Sequence, residues 1–166
     1  MINFRDWTKR SRIGDKQEVV NFNLTPITNE MAELYHPIAR QKGVKIINYI
    51  TDPLMVRANK NQVRMIVRSL IGEVLQHTQS RDKIYIGYEQ SPSKSIWIKI
   101  TATGANMMSS MLELSSQAGL LVSSENAQKG QLALIRDYVE KNGGSIAINN
   151  PLGAGTAFRF SLPVAY

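Results

Sequence analysis

The sequence predicts an α/β fold of the α+β kind, in which helices and strands share one hydrophobic core. Its 166 residues are 43% hydrophobic, enough for one domain with a sizeable core. The segment from Lys60 to His77 carries hydrophobic residues at helical spacing along its whole length. The segment from Ser95 to Ala102 alternates hydrophobic and polar residues, which is typical of a half-buried strand.

The first 17 residues precede this pattern. Ile2, Phe4 and Trp7 can pack on one side of a helix, and Gly14-Asp15 ends it. We therefore expect residues 1–17 to be the end of a helix and residues 18–166 to be the folded domain.

The next segment predicts a strand, a helix and a second strand. The strand runs from Glu18 to Asn23, and Thr25-Pro26 begins the helix with Thr25 as its N-cap. Lys42-Gly43 ends the helix, and a strand follows from Lys45 to Ile50. The expected buried stripe of this helix consists of Ile27, Met31, Leu34, Tyr35 and Ile38. A short extended piece from Pro53 to Arg57 comes next.

The helix from Lys60 to His77 has Asn59 as its expected N-cap. Its apolar face is formed by Val63, Ile66, Val67, Leu70, Ile71, Val74 and Leu75. Ser69, Glu73 and His77 are four residues apart and form a polar line along the edge of that face. This spacing also allows His77 to pair with Glu73.

Two strands then follow, from Ile84 to Tyr88 and from Ser95 to Ala102, with a turn at Gln90–Ser93. The stretch from Gly130 to Pro163 predicts a helix, a Gly-Gly stop and a β-hairpin. Asn142-Gly143-Gly144 ends this helix, because glycine accepts the left-handed backbone of a C-cap.

The end of the chain carries three motifs in succession, Lys141–Gly144, Gly153–Phe158 and Leu162-Pro163. In their order and spacing these motifs resemble the end of the ATP-binding domain of sensor histidine kinases, in the gyrase/Hsp90-like (GHKL) ATPase group. The resemblance extends over Glu18 to Pro163. It implies a GHKL/Bergerat-type two-layer sandwich, with a mixed, mainly antiparallel sheet of about five strands covered on one face by about three helices. It also implies that residues 1–17 end a dimerisation or linker helix, since Phe4–Trp7 resembles the family's hand-over to the ATPase domain.

The family's nucleotide-binding helix carries the motif Asn-Leu-Leu-x-Asn-Ala-x-Lys-x-Thr, and the matching run here is Ser69 to Thr78. Both asparagines and the basic residue are replaced, by Ser69, Glu73 and Gln76. The second asparagine holds Mg²⁺ in the family, so the resemblance makes Glu73 the candidate metal ligand.

The family's Asp-x-Gly-x-Gly loop reads Ala102–Asn106 here. The aspartate that accepts the adenine amino proton is therefore Ala102, whereas Thr103 and Gly104 match. The ATP lid corresponds to Met107–Lys129, and its glycine-rich end has Gly130 displaced by one position. The candidate nucleotide-binding residues are Glu73, His77, Thr103, Gly104, Gly130 and Thr156.

These replacements weaken the expected binding of the cofactors ATP and Mg²⁺. Losing the adenine-binding carboxylate costs about 1.5–3 kcal/mol, which is roughly 10–150-fold in affinity. Glu73 could ligate Mg²⁺ but repels phosphate when no metal is present. We assign no catalytic residue, because neither His36 nor His77 lies in the His-Glu-x-Arg/Lys-x-Pro setting of a phosphoacceptor.

Composition limits the setting and the partners. The chain has no cysteine and a formal charge of +7, which favours acidic partners. Lysine and arginine are spread along the sequence, so nucleic-acid binding is not expected. No apolar run approaches the ~20 residues that span a bilayer. We expect a cytoplasmic domain, alone or as the soluble part of a membrane sensor.

Three functional hypotheses follow. The first is a degenerate histidine-kinase ATPase-like domain that acts by docking or regulation. Its partners would be the dimerisation or phosphoacceptor helices of the same or a partner kinase, and a response regulator or receiver domain. The second is a working kinase domain that binds Mg-ATP through divergent motifs. The third, a nucleic-acid-binding module, rests on charge alone.

Overall fold

The computed structural model describes residues 18–104, 127–149 and 156–165. The three helices of this part are α1 (Thr25–Lys42), α2 (Lys60–Gln76) and α3 (Ala127–Lys141). Its strands are β1 (Val19–Asn23), β2 (Lys45–Asn48), β3 (Met55–Asn59), β4 (Lys83–Ser91), β5 (Ser95–Ala102), β6 (Ile146–Asn149) and β7 (Thr156–Pro163). The expected features at 1–17, 105–126 and 150–155 lie outside the described residues.

The main sheet has five strands in the order β2-β4-β5-β7-β6. β2 runs parallel to β4, and the remaining neighbours are antiparallel. β1 and β3 form a separate antiparallel pair. One face of the main sheet is buried, and its residues share a core with the apolar faces of the helices. The expected two-layer sandwich is confirmed.

Helix α2 runs through the centre of the core, as its periodicity predicts. The Asn59 side chain caps it by accepting the Gln62 N–H at 3.1 Å. All seven residues of the predicted apolar face are buried. At the other end, Lys42 Nζ donates to the carbonyl oxygens of Leu75 and Gln76 at 2.8 and 3.3 Å. A cation is favourable at this helix terminus.

Helix α1 departs from the prediction in two ways. Its N-cap is Leu24, so the expectation for Thr25 was wrong. Thr25 instead donates from Oγ1 to the carbonyl of Asp52 at 2.6 Å. Leu34 and Ile38 are 49% and 50% exposed rather than buried.

The end of α3 is joined to the start of α2 through one buried amide. Asn142 Oδ1 accepts the Asn59 N–H at 2.7 Å, and its Nδ2 donates to Gln62 Oε1 at 2.8 Å. Gly143 has φ +79°, the left-handed conformation expected of a helix end. A Cβ on Gly144 would lie 1.8 Å from the Ser161 carbonyl oxygen, so only glycine fits there. The predicted stop motif therefore fixes α3 against α2 and β7.

Candidate functional site

The polar edge of α2 lines an open cavity. It has a volume of about 470 Å³ and is lined by Tyr35, Met65, Arg68, Ser69, Gly72, Glu73 and Gln76. A Cβ on Gly72 would lie 2.7 Å from Tyr35 Oη, so the missing side chain lets the tyrosine approach α2 closely. Three positions of the family's nucleotide motif, Ser69, Glu73 and Gln76, thus share one cavity.

Glu73 lies at the inner side of this cavity and is only 6% exposed. Its Oε1 is 3.2 Å from Nε2 of His77, whose side chain is 21% exposed. The pairing that the four-residue spacing predicts is confirmed. One oxygen of the candidate metal ligand is therefore already in contact with an imidazole.

No other metal-ligating side chain joins this pair in the part of the chain that the structure describes. Residues 18–104, 127–149 and 156–165 contain no group of three or more His, Asp or Glu residues that could hold an ion. Mg²⁺ prefers octahedral oxygen ligation and is commonly held by one or two carboxylates together with substrate phosphates. Glu73 is the right type of ligand, but its contact with His77 competes with that role.

Ala102, which the resemblance aligns with the family's adenine-binding carboxylate, lies at the end of β5. Ala102 is fully buried and pairs with Ile84 of β4 and Thr156 of β7. Its methyl group offers no hydrogen-bond acceptor to a base. The residues present at this position therefore do not fit the amino group of adenine.

Thr103 is bonded to the neighbouring strand through its backbone and its side chain. Its N–H donates to the Lys83 carbonyl at 3.1 Å, and its Oγ1 accepts the Lys83 N–H at 2.9 Å. These bonds extend the pairing of β4 and β5 by one residue. Thr103 thus acts here as a sheet residue, and its predicted contact with nucleotide stays a prediction.

Gly104 lies against a carboxylate that sequence reasoning missed. A Cβ on Gly104 would be 2.4 Å from Asp82 Oδ2, and the same oxygen accepts the Gln79 N–H at 2.7 Å. Asp82 lies 22 positions before Gly104 in the sequence, between the two nucleotide motifs and in neither of them. Only the pairing of β4 with β5 brings the two together.

The two remaining candidates for nucleotide binding, Gly130 and Thr156, are located by the helix and the strand to which they belong. Gly130 is the fourth residue of α3, and the first four N–H groups of a helix have no partner within it. Thr156 begins β7 and pairs with Ala102. The fold thus gathers Ala102, Thr103, Gly104 and Thr156 at one end of the sheet, whereas Glu73 lies on α2 and His77 caps the C-terminus of that helix.

Comparison with known proteins assigns the chain to a protein family. The sequence model of the histidine kinase-, DNA gyrase B- and HSP90-like ATPase family matches residues 58–166. The chain belongs to this family. The matched residues run from the end of β3 through α2 to the end of the chain.

Two sensor kinases have similar sequences. The autoinducer 2 sensor kinase/phosphatase LuxQ of Vibrio vulnificus (strain YJ016) is 28% identical over 155 residues, which cover 87% of this chain and 18% of LuxQ. The adaptive-response sensory kinase SasA of Crocosphaera subtropica is 21% identical over 145 residues, which cover 85% of this chain and 38% of SasA. The chain therefore spans less than two fifths of the length of these relatives.

Solved structures share the fold. The catalytic domain of the histidine kinase ThkA superposes with a TM-score of 0.72 at 19% identity, covering 89% of this chain and 97% of that domain. Full-length ShkA in complex with AMPPNP gives a TM-score of 0.71 at 21% identity, covering 93% of this chain and 34% of ShkA. The architecture of a histidine-kinase ATPase domain is thus shared. Within the described residues, no helix is long and apolar enough to cross a membrane.

Proposed function

We propose that this chain is the ATPase-like domain of a two-component sensor histidine kinase whose nucleotide site has degenerated, and that it acts by docking or regulation. The observation that carries the proposal is the fully buried Ala102 at the adenine position. A family member that binds ATP through its usual motif needs a carboxylate there.

The loss at Ala102 is not made good by the residue that follows it. The Thr103 hydroxyl is neutral and already accepts the Lys83 N–H at 2.9 Å, so it cannot replace a bond to a charged carboxylate. A missing charge-assisted hydrogen bond weakens binding by about 1.5–3 kcal/mol, or roughly 10–150-fold. This factor alone moves a micromolar ATP affinity toward the millimolar range.

Glu73 adds a second, independent defect. Two unit negative charges ~4 Å apart repel by about 4 kcal/mol at an effective dielectric of 20. An asparagine at this position adds no such repulsion when it faces phosphate. The carboxylate would need Mg²⁺ to offset it, and the contact with His77 at 3.2 Å favours a metal-free arrangement.

In contrast to the altered nucleotide site, the residues that stabilise the packing of the helices and the sheet are present. Asn142 joins α3 to α2, and Gly144 allows α3 to approach β7. A domain with an intact frame and an altered nucleotide site is suited to protein contacts. The proposed partners are phosphoacceptor helices and a receiver domain, and ThkA itself has been crystallised with the response regulator TrrA.

One observation favours the alternative of a working but divergent site. Asp82 places a carboxylate against Gly104, inside the loop that in the family contacts adenine. Its Oδ2 accepts the Gln79 N–H at 2.7 Å, and the carboxylate has further lone pairs that can accept an adenine amino proton. A functional Mg-ATP site would therefore use Asp82 for the base and Glu73 for the metal.

Thermal melting with millimolar Mg-ADP or Mg-ATP separates the two proposals. A ligand at 100 times its dissociation constant stabilises by about 2.7 kcal/mol, which is several degrees for this size. We expect no shift from either nucleotide. A shift of the melting temperature that is lost in both Asp82→Asn and Glu73→Gln would establish the divergent site instead. The matched control is Asp52→Asn on the loop before β3, which should leave any such shift unchanged.

A further inference from the structure

The main sheet has a second face that the core does not use. Along β5 every second residue is buried, and Trp97, Lys99 and Thr101 between them are partly exposed. β4 shows the same alternation at its start, with Lys83 and Tyr85 on the outer side. The described helices pack on the buried side. We call this partly exposed side the outer sheet face.

Strand pairing collects cations on the outer sheet face that are scattered in the sequence. Lys45 of β2 lies beside Lys83 of β4, and Lys99 of β5 lies beside Arg159 of β7. These four are the cationic residues of the five strands, and Glu89 is their one acidic residue. A hydrogen bond from Lys99 lowers the pKa of Glu89, so this carboxylate is ionised at neutral pH. The face keeps an excess of positive charge.

Aromatic rings lie among these cations. The Tyr49 and Tyr85 rings stack with centroids 5.9 Å apart and an angle of 18° between their planes. The Arg159 guanidinium carbon is 4.7 Å from the centroid of the Trp97 ring. Nε of Arg159 is buried and has no hydrogen-bond partner among the described residues. The face therefore presents aromatic rings beside cations, with one side of the Trp97 ring already covered by Arg159.

A gap separates the tyrosine pair from the tryptophan. Gly87 faces outward between Tyr85 and Glu89, and it pairs with Lys99. A Cβ added at Gly87 would meet no atom within 4 Å. Because Trp97 is diagonal to Gly87 across the β4–β5 pair, the gap is bordered by aromatic residues on two sides.

We propose that the outer sheet face binds single-stranded nucleic acid. Unpaired bases would stack over the Gly87 gap and the rings beside it, while Lys45, Lys83 and Arg159 would neutralise phosphates, because Lys99 is already paired with Glu89. A duplex hides the faces of its bases and cannot use the rings. An acidic protein would also be attracted by the cations, but it supplies no regular series of flat rings to stack beside Tyr85, Trp97 and the Gly87 gap.

This surface is independent of the proposed nucleotide site. Glu73 and the buried Ala102 belong to the opposite, core side of the sheet. Loss of ATP binding therefore neither supports nor weakens the inference, and the two are tested by separate measurements.

The experiment measures fluorescence anisotropy of labelled twelve-nucleotide oligouridine and oligothymidine with the full chain from 50 to 300 mM KCl. Neutralising three phosphates predicts a slope of about −2 for the logarithm of affinity against the logarithm of salt. Trp7→Phe leaves Trp97 as the one tryptophan of the chain. Its fluorescence should be quenched as oligonucleotide binds.

Two variants test the location. Gly87→Val fills the gap with a residue that favours strands, so we expect affinity to fall about tenfold at an unchanged melting temperature. Lys83→Gln should weaken binding and reduce the salt slope by about 0.7. Lys60→Gln at the start of α2 removes the same charge elsewhere and should keep the wild-type affinity and slope.

Several results would overturn the proposal. The first is an absence of binding at 50 mM KCl. The second is wild-type affinity in both Gly87→Val and Lys83→Gln. The third is binding that leaves the fluorescence of Trp97 unchanged. Polyglutamate that binds as tightly as the oligonucleotides would assign the face to an acidic protein instead. If Gly87→Val lowers the melting temperature, Lys83→Gln and the Trp97 signal decide the outcome.

Discussion

Restoring the adenine carboxylate by Ala102→Asp tests whether this position has become part of the core. Ala102 is fully buried between two paired strands, so the new side chain enters an apolar environment. An uncompensated buried charge costs about 3–5 kcal/mol. At about 2–4 °C per kcal/mol for a domain of this size, the melting temperature should fall by roughly 10 °C at pH 7.

The pH dependence of this loss identifies its cause. Burial raises the pKa of a carboxyl group, because it disfavours the charged form. The destabilisation is therefore complete above the raised pKa and is relieved as the pH falls below it. The assay is melting of wild type, Ala102→Asp and Ala102→Asn from pH 4 to 8. Asparagine has nearly the same shape without a charge, so its smaller effect should not depend on pH.

Nucleotide binding supplies the second readout. The double variant Ala102→Asp/Glu73→Asn regains both family residues, and Mg-ADP should bind it at least ten times more tightly than wild type. An Ala102→Asp protein as stable as wild type at every pH would refute the reasoning. It would mean that water reaches this position and that its burial is not what excludes adenine.

Three further substitutions test the frame. Asn142→Ala removes the acceptor of the buried Asn59 N–H, and urea unfolding should show a loss of about 1–3 kcal/mol. Gly144→Ala places a methyl group 1.8 Å from the Ser161 carbonyl oxygen and should cost about 3 kcal/mol, whereas an unchanged midpoint would show that β7 can move away. Lys42→Met keeps the aliphatic stem but loses the hydrogen bonds to the end of α2, so it should lower the free energy of unfolding by about 1 kcal/mol. Lys42→Arg keeps the charge and should not lower it. Equal stability of the two variants would contradict this capping role.

The sequence predicts α2 well because its signal is redundant. Seven apolar residues at consistent spacing define one face, and the N-cap Asn59 is at the expected position. α1 offers two overlapping stripes that share Ile27 and Met31. The buried one continues through Tyr35 to Ala39, whereas Leu34 and Ile38 lie one residue to its side and stay exposed. Which stripe faces the core depends on how Tyr35 meets Gly72 of α2, and the spacing within α1 does not contain that information.

Features that depend on strand order could not be predicted from the sequence, because the spacing within one element does not show which elements lie beside it. The contact of Asp82 with Gly104 needs the register of β4 with β5. The cations of the outer sheet face come together only through pairing between β2, β4, β5 and β7. Motif comparison found Glu73 and Ala102, because their spacing within one element or loop is preserved. It could not reveal which neighbours those residues would have.

The position of β7 in the sheet affects when the chain can fold during its synthesis. β7 lies between β5 and β6, although it follows both in the chain. Until Pro163 has left the ribosome, the edge of β5 has no partner and β6 has no sheet to join. Exposed strand edges promote association between chains. The C-terminal half should therefore fold after translation has passed this strand, and nascent chains that stop at Asn149 should be targets for chaperones and proteases.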